Sequence, residues 1–172
     1  MLYQPVGKRQ AEAEAQVVLK ELNITSIPVN VHGVTEQLGL ELIKFKFQDN
    51  ESGVLIVKDK RAVVGYNQDH PPSRQRFSIA HEIGHYRLHY SQLPEDQRQD
   101  YVDVFKRDWV ASQGVNRLEI DANAFAAELL MPTHDIQNKA WELRINGTDL
   151  ADEESIEQMA NDFQVSIQAM TI

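Results

Sequence analysis

The chain has no cysteine among its 172 residues. That absence excludes a disulfide framework and any thiolate-bound metal. No apolar run approaches the roughly 20 residues that a membrane span needs, and the N-terminus lacks the charged-then-apolar pattern of a signal peptide. A cytoplasmic protein with no membrane partner is expected. Positive charge is also scarce: 17 Lys and Arg stand against 26 Asp and Glu, a net charge of −9. Such a balance disfavours broad contact with phosphate backbones and suits a basic protein partner. The shortage is sharpest at the C-terminus. Nothing after Arg144 is Lys, Arg or His, while Asp149, Asp152, Glu153, Glu154, Glu157 and Asp162 accumulate there. Residues 155–172 have the outline of the first helix and turn of a helix-turn-helix, but a recognition helix must neutralise phosphate. Ile156, Met159, Ala160 and Phe163 read instead as a packing face, and no direct nucleic-acid binding is expected.

What is present is chemically specific. His81-Glu82-Ile83-Gly84-His85 puts two imidazoles four residues apart, the spacing that makes neighbours on one face of a helix. Both can reach one Zn²⁺, with Zn–N bonds of about 2.0–2.1 Å. Glu82 is turned partly away from that ion, near enough to take a proton from a water at the metal without being a ligand. The flanks predict the helix: Pro71-Pro72-Ser73 reads as a loop ending in an N-cap serine, and Phe77, His81, Gly84, His85 and Leu88 recur at helical spacing. Gly84 in mid-helix costs about 1 kcal/mol relative to alanine, which points to close backbone packing beside the site. The bland alternative, two core histidines that happen to match a short pattern, leaves Glu82 unexplained in an apolar stretch.

An open catalytic zinc site takes a third protein ligand. A third histidine shortly after the second is missing: Leu88 and Ser91 stand where a glycine and that histidine would be. His89 lies about 12 Å along a straight helix from His81, too far to share the ion. The better candidate is in the helical run Leu118–Met131, which Pro132 ends. Glu119 would be the ligand and Asn123, one turn on, would hold a ligand histidine through its other ring nitrogen. Two competing uses remain: Asn116 and Glu119 fit a capping box, and Asp121, about 200° around the helix from Glu119, is the next choice of ligand.

Residues 74–85, Arg-Gln-Arg-Phe-Ser-Ile-Ala-His-Glu-Ile-Gly-His, followed by Glu119-x-x-Ala122-Asn123-x-Phe125-Ala126 and Leu129-Leu130-Met131-Pro132, resemble the ImmA/IrrE metallopeptidases, regulatory proteases of bacteria and phages. The similarity is dense over 74–90 and 118–132 and looser elsewhere, including Ile27-Pro28-Val29 and the stretch around Ser52-Gly53; residues 91–117 match nothing useful. It implies a zincin-like endopeptidase with His81, His85 and Glu119 as zinc ligands and Glu82 as catalytic base. It also implies a substrate class: helix-turn-helix repressors whose cleavage derepresses stress or mobile-element genes. The rival from another class is a non-catalytic, metal-containing regulator or antitoxin-like protein that binds its partner stoichiometrically. One Zn²⁺ is expected, although such ligands alone do not decide among first-row divalent ions. For the oxyanion of a peptide-bond transition state, Tyr66, Tyr86, Tyr90, Tyr101, His89 and His134 are all chemically able.

The length suits one core, so residues 1–172 are expected to form one α+β domain: a sheet-bearing part over about 1–70, the metal-site helices over about 74–131, and C-terminal helices over about 134–172. Helices are predicted at about 8–22, in a shorter stretch from Asn30 that Gly39 stops, and at about 95–112, 117–131, 134–144 and 152–163, with Asn146-Gly147 as a breaker. Ile43–Phe47 alternates like a half-buried strand. Residues 54–57 and 62–66 flank a charged turn and predict a hairpin. The small sheet is expected to be antiparallel, with a free hairpin edge beside the cleft that takes substrate as an added strand.

Overall fold

Lys8–Glu21 forms the first helix, α1, and its apolar stripe of Ala11, Ala15 and Val18 is fully buried. The computed structural model describes residues 5–47, 51–98, 100–106, 117–143 and 153–171. Helix α2 (Val31–Gln37) starts where Asn30 caps it, its side-chain oxygen accepting from the Gly33 N–H at 3.2 Å. It stops before Gly39, whose φ of 71° lies in the left-handed region that glycine favours.

Four strands follow: β1 (Glu41–Phe45), β2 (Glu51–Lys58), β3 (Arg61–Asn67) and β4 (Tyr101–Lys106), in the order β1-β3-β2-β4. β2 and β3 make the predicted hairpin, closed by Asp59 and Lys60 with φ of 50° and 64°, the two left-handed residues a tight two-residue turn requires. The sheet is mixed rather than wholly antiparallel, because β1 returns from α2 and runs parallel to β3. The half-buried alternation expected over Ile43–Phe47 is not found in β1: Leu42 alone is half-buried, and Ile43 and Phe45 are 40% and 56% exposed.

Two further expectations are corrected. The helix expected over 95–112 does not form in the described part of that stretch: Glu95–Gln97 is a single 3₁₀ turn and β4 occupies 101–106, antiparallel to β2, while 99 and 107–112 lie outside the described residues. Val102 and Phe105 fit a helical spacing, but the β-branched and aromatic content of Tyr-Val-Asp-Val-Phe suits a pleated surface, and pairing with β2 decides the outcome. Consequently neither hairpin strand offers a free edge: β3 lies between β1 and β2, and β2 between β3 and β4. Among the described residues the outer strands are β1 and β4.

Helix α3 (Pro72–His85) crosses β2 and β3, with Ile79 and Ile83 fully buried. Its cap is Pro71 and its first residue Pro72, the position where proline's missing N–H costs nothing, so Ser73 lies inside the helix. A π-helical turn, Tyr86–Tyr90, continues it. Helices α4 (Arg117–Leu130), α5 (Thr133–Glu142), α6 (Glu153–Phe163) and α7 (Ile167–Met170) follow; Asn146-Gly147 lies outside the described residues. α4 is sandwiched, packing on α3 with one face and on α1 with another. Met159, Ala160 and Phe163 of α6 are buried, as a packing face requires. Among the described residues no helix is long and apolar enough to cross a membrane.

Candidate metal centre

The last turn of α3 and the first turn of α4 bring three side chains together. The Nε2 atoms of His81 and His85 are 2.9 Å apart. Each also lies 3.2 Å from a different carboxylate oxygen of Glu119. Tetrahedral coordination with Zn–N bonds of about 2.0–2.1 Å separates neighbouring donors by about 3.3 Å, so the observed spacings fit one small cation. The chemistry fits as well. His81 Nδ1 donates to Asn123 Oδ1 at 3.0 Å, which turns its Nε2 lone pair toward the other two donors. Burial pushes the His81 imidazole below its ordinary pKa, although the Glu119 carboxylate, which favours the charged ring, opposes this; the neutral ring is the form that binds a metal. Burial alone would raise the Glu119 carboxyl, but the His81 and His85 rings against its two oxygens together outweigh it and hold Glu119 well below the usual carboxylate range.

The backbone contact expected at Gly84 is present. A Cβ there would meet Phe125 Cδ1 at 3.1 Å and the Cα and carbonyl oxygen of Ala122 at 3.2 Å. Gly84 is thus the point where α3 and α4 touch, and that closeness lets Glu119 reach both histidines. Asn116, the partner Glu119 would have in a capping box, lies outside the described residues. Asp121 is not in the cluster: it accepts from the Val6 and Gly7 N–H groups at 2.7 and 3.1 Å, on the α1 side of α4.

Glu82 is fully buried beside β2 and is not one of the three converging donors. A Cβ on Gly53 would stand 2.9 Å from Glu82 Oε1. His89, on the π-helical turn, is also outside the triad; its ring lies 5.6 Å from that of His85 and its Nε2 is 3.4 Å from the Leu118 carbonyl. The other polar candidates are scattered. Tyr66 packs edge-on against His32, Tyr86 stacks on Tyr90, Tyr90 lies against Tyr101, and the His134 side chain is 81% exposed on α5. The residues that sequence reasoning left without a role are Ser52 and Arg74. Arg74 Nη2 donates to the buried Ser52 Oγ at 2.6 Å, and a glycine after Ser52 inside a strand pattern was the available sign of close backbone approach.

Residues 35–172 match the family described as the IrrE N-terminal-like domain of the M78 peptidases. No curated protein matches the chain. Among solved structures it is similar to a Mycobacterium tuberculosis transcriptional regulator, with a TM-score of 0.58 at 17% identity. That similarity covers 94% of this chain but only 45% of the regulator, and at such identity it speaks for the fold alone.

Proposed function

The chain belongs to the IrrE N-terminal-like family of M78 peptidases, and from that premise we propose that it is a zinc-dependent endopeptidase acting on a specific protein partner. The observation that carries this reading is the convergence of His81, His85 and Glu119 beside a fourth group, Glu82, that is set apart from them. A structural zinc site takes four protein ligands, whereas a catalytic one takes three and keeps a position open. Among the described residues three donors converge, which favours catalysis over a metal kept only to hold the fold.

In this reading His81, His85 and Glu119 hold the ion, and Asn123 fixes the tautomer and tilt of His81. The ion supplies a Lewis acid that polarises the scissile carbonyl and acidifies water. Glu82 takes the proton of the attacking water and passes it to the departing amide nitrogen. Family resemblance supports a helix-turn-helix repressor as substrate, its cleavage derepressing stress or mobile-element genes. The net charge of −9 suits the basic surface of a DNA-binding partner.

The test takes as candidate substrate any helix-turn-helix protein that sequencing finds encoded beside this gene, incubates it with the zinc-loaded chain and follows the fragments by mass spectrometry. Cleavage at one or a few bonds is expected. Glu82→Gln should keep zinc and fold but lose at least about a hundredfold in rate, the contribution of a positioned acid–base group. Parental cleavage by that variant would remove Glu82 from the mechanism, and tight binding of the repressor without cleavage would favour the stoichiometric regulator.

A further inference from the structure

β2 does not run past α3 as a regular strand. Glu51 pairs with Lys106 and Gly53 with Phe105, so Ser52 is an extra residue in the ladder with β4. Such bulges re-aim the residues beside them. This one is held from two sides: Arg74 of α3 donates to Ser52 Oγ at 2.6 Å, and Asn67 Nδ2 of β3 donates to the Glu51 carbonyl at 2.9 Å. The next residue, Gly53, faces Glu82. A Cβ at Gly53 would lie 2.9 Å from Glu82 Oε1 and 3.3 Å from its Cγ, the first distance being shorter than carbon and oxygen tolerate. The backbone of Gly53 does not itself demand glycine, since its φ is outside the left-handed region. On strand propensity alone alanine would be the better residue. The carboxylate is what needs the space.

We infer that Gly53 is a positioning residue for Glu82: its missing side chain leaves the volume in which the carboxylate stands beside the metal centre, and the tethered bulge at Ser52 keeps the strand backbone against it. The inference rests on the proposed role of Glu82 as the base. In Gly53→Ala either the strand or the carboxylate must retreat. The strand is paired to Tyr66 on one side and Phe105 on the other and is pinned at Ser52. Glu82 has soft side-chain torsions, so the carboxylate moves while His81, His85 and Glu119 keep their places.

Acetohydroxamic acid tests this without a protein substrate. It chelates zinc, and its hydroxyl proton is shared with a carboxylate standing where an attacking water would be. Calorimetric titrations into the zinc-loaded full chain would compare the parent, Gly53→Ala, Glu82→Gln and the double variant. Gly53→Ala should bind zinc as the parent does, with a Tm no more than about 3 °C lower. It should nevertheless weaken acetohydroxamate about tenfold, the effect of one misplaced hydrogen bond to a charged group. Glu82→Gln should weaken it at least as much, and the double variant no further. Should Gly53→Ala fold poorly, Ser52→Ala loosens the tether without adding a methyl beside Glu82, and a loss of about threefold is expected from it. Parental acetohydroxamate affinity in folded Gly53→Ala, or in Ser52→Ala where the first does not fold, would overturn the role of Gly53 provided Glu82→Gln weakens binding. Parental affinity in Glu82→Gln would overturn the assignment of Glu82 and the inference with it.

Discussion

Glu119 and Asp121 are two carboxylates on one helix turn, and their surroundings give them opposite work. Glu119 faces α3 and meets both histidines; Asp121 faces α1 and holds the Val6 and Gly7 N–H groups. Gly7 caps α1, so a negative charge there also suits the positive end of that helix. Their variants should therefore separate. Glu119→Gln should weaken zinc at least tenfold by competition with a chromophoric chelator, because an amide oxygen donates less charge than a carboxylate, on the order of 1.4 kcal/mol or more. Asp121→Asn should leave zinc affinity unchanged and lower stability by about 1–3 kcal/mol, since its amide would present a donor to a buried N–H. Loss of zinc in Asp121→Asn with retention in Glu119→Gln would reverse the assignment. Two of the three converging side chains, His81 and His85, and the proposed base Glu82 were legible in the chain because they share one helical turn. Glu119 and Asn123 were legible only as candidates, since the rotation that aims α4 at α3 comes from packing.

Among the elements, α3 and α4 decide whether the donors meet, and Gly84 sets their separation. Alanine there would gain about 1 kcal/mol in helix propensity, but its methyl would press on the Ala122 backbone at 3.2 Å and on Phe125 at 3.1 Å. A backbone inside a helix cannot yield as a long side chain can, so strain of about 1–3 kcal/mol should win. Gly84→Ala is expected to melt lower than the parent in circular dichroism and to bind zinc more weakly, as Glu119 withdraws from His85. A variant as stable as the parent, with its zinc affinity, would show that the helices are not held apart by this contact. The same elements show where patterns read along the chain succeed and fail. α1 and α4 carry apolar stripes bounded by glycine or proline, and each forms within a residue of its expected limits, 8–22 and 117–131. β4 carries no such signal. Tyr101–Lys106 is short enough to satisfy either period, and what makes it a strand is the unpaired side of β2, a partner some fifty residues away in sequence.

Taken as a whole molecule, the chain places α4, which carries Glu119, between two supports, and one of them lies outside the family match. The match begins at residue 35, yet α1, at Lys8–Glu21, backs α4 along its length. Ala11, Ala15 and Val18 are fully buried there. Gln16 donates to Glu128 at 2.9 Å, and Arg87 of the π-helical turn donates to Glu14 and Glu21 at 2.6 and 3.1 Å. Burying those three apolar side chains stabilises by roughly 3–5 kcal/mol, a large part of the roughly 5–15 kcal/mol that holds a domain together. Removing α1 would also bare Asp121 and Glu128, which are 1% and 7% exposed, and leave α4 free to shift against α3. A chain beginning at residue 25 retains every proposed metal ligand, so ligand chemistry alone would have it bind zinc normally. The packing predicts otherwise: zinc affinity down by about tenfold or more, together with a broadened thermal transition and a diminished near-ultraviolet circular dichroism signal. Should that fragment melt as cooperatively as the full chain and titrate with the same zinc affinity, α1 would be an appendage, and the working unit would be the segment that the family match covers.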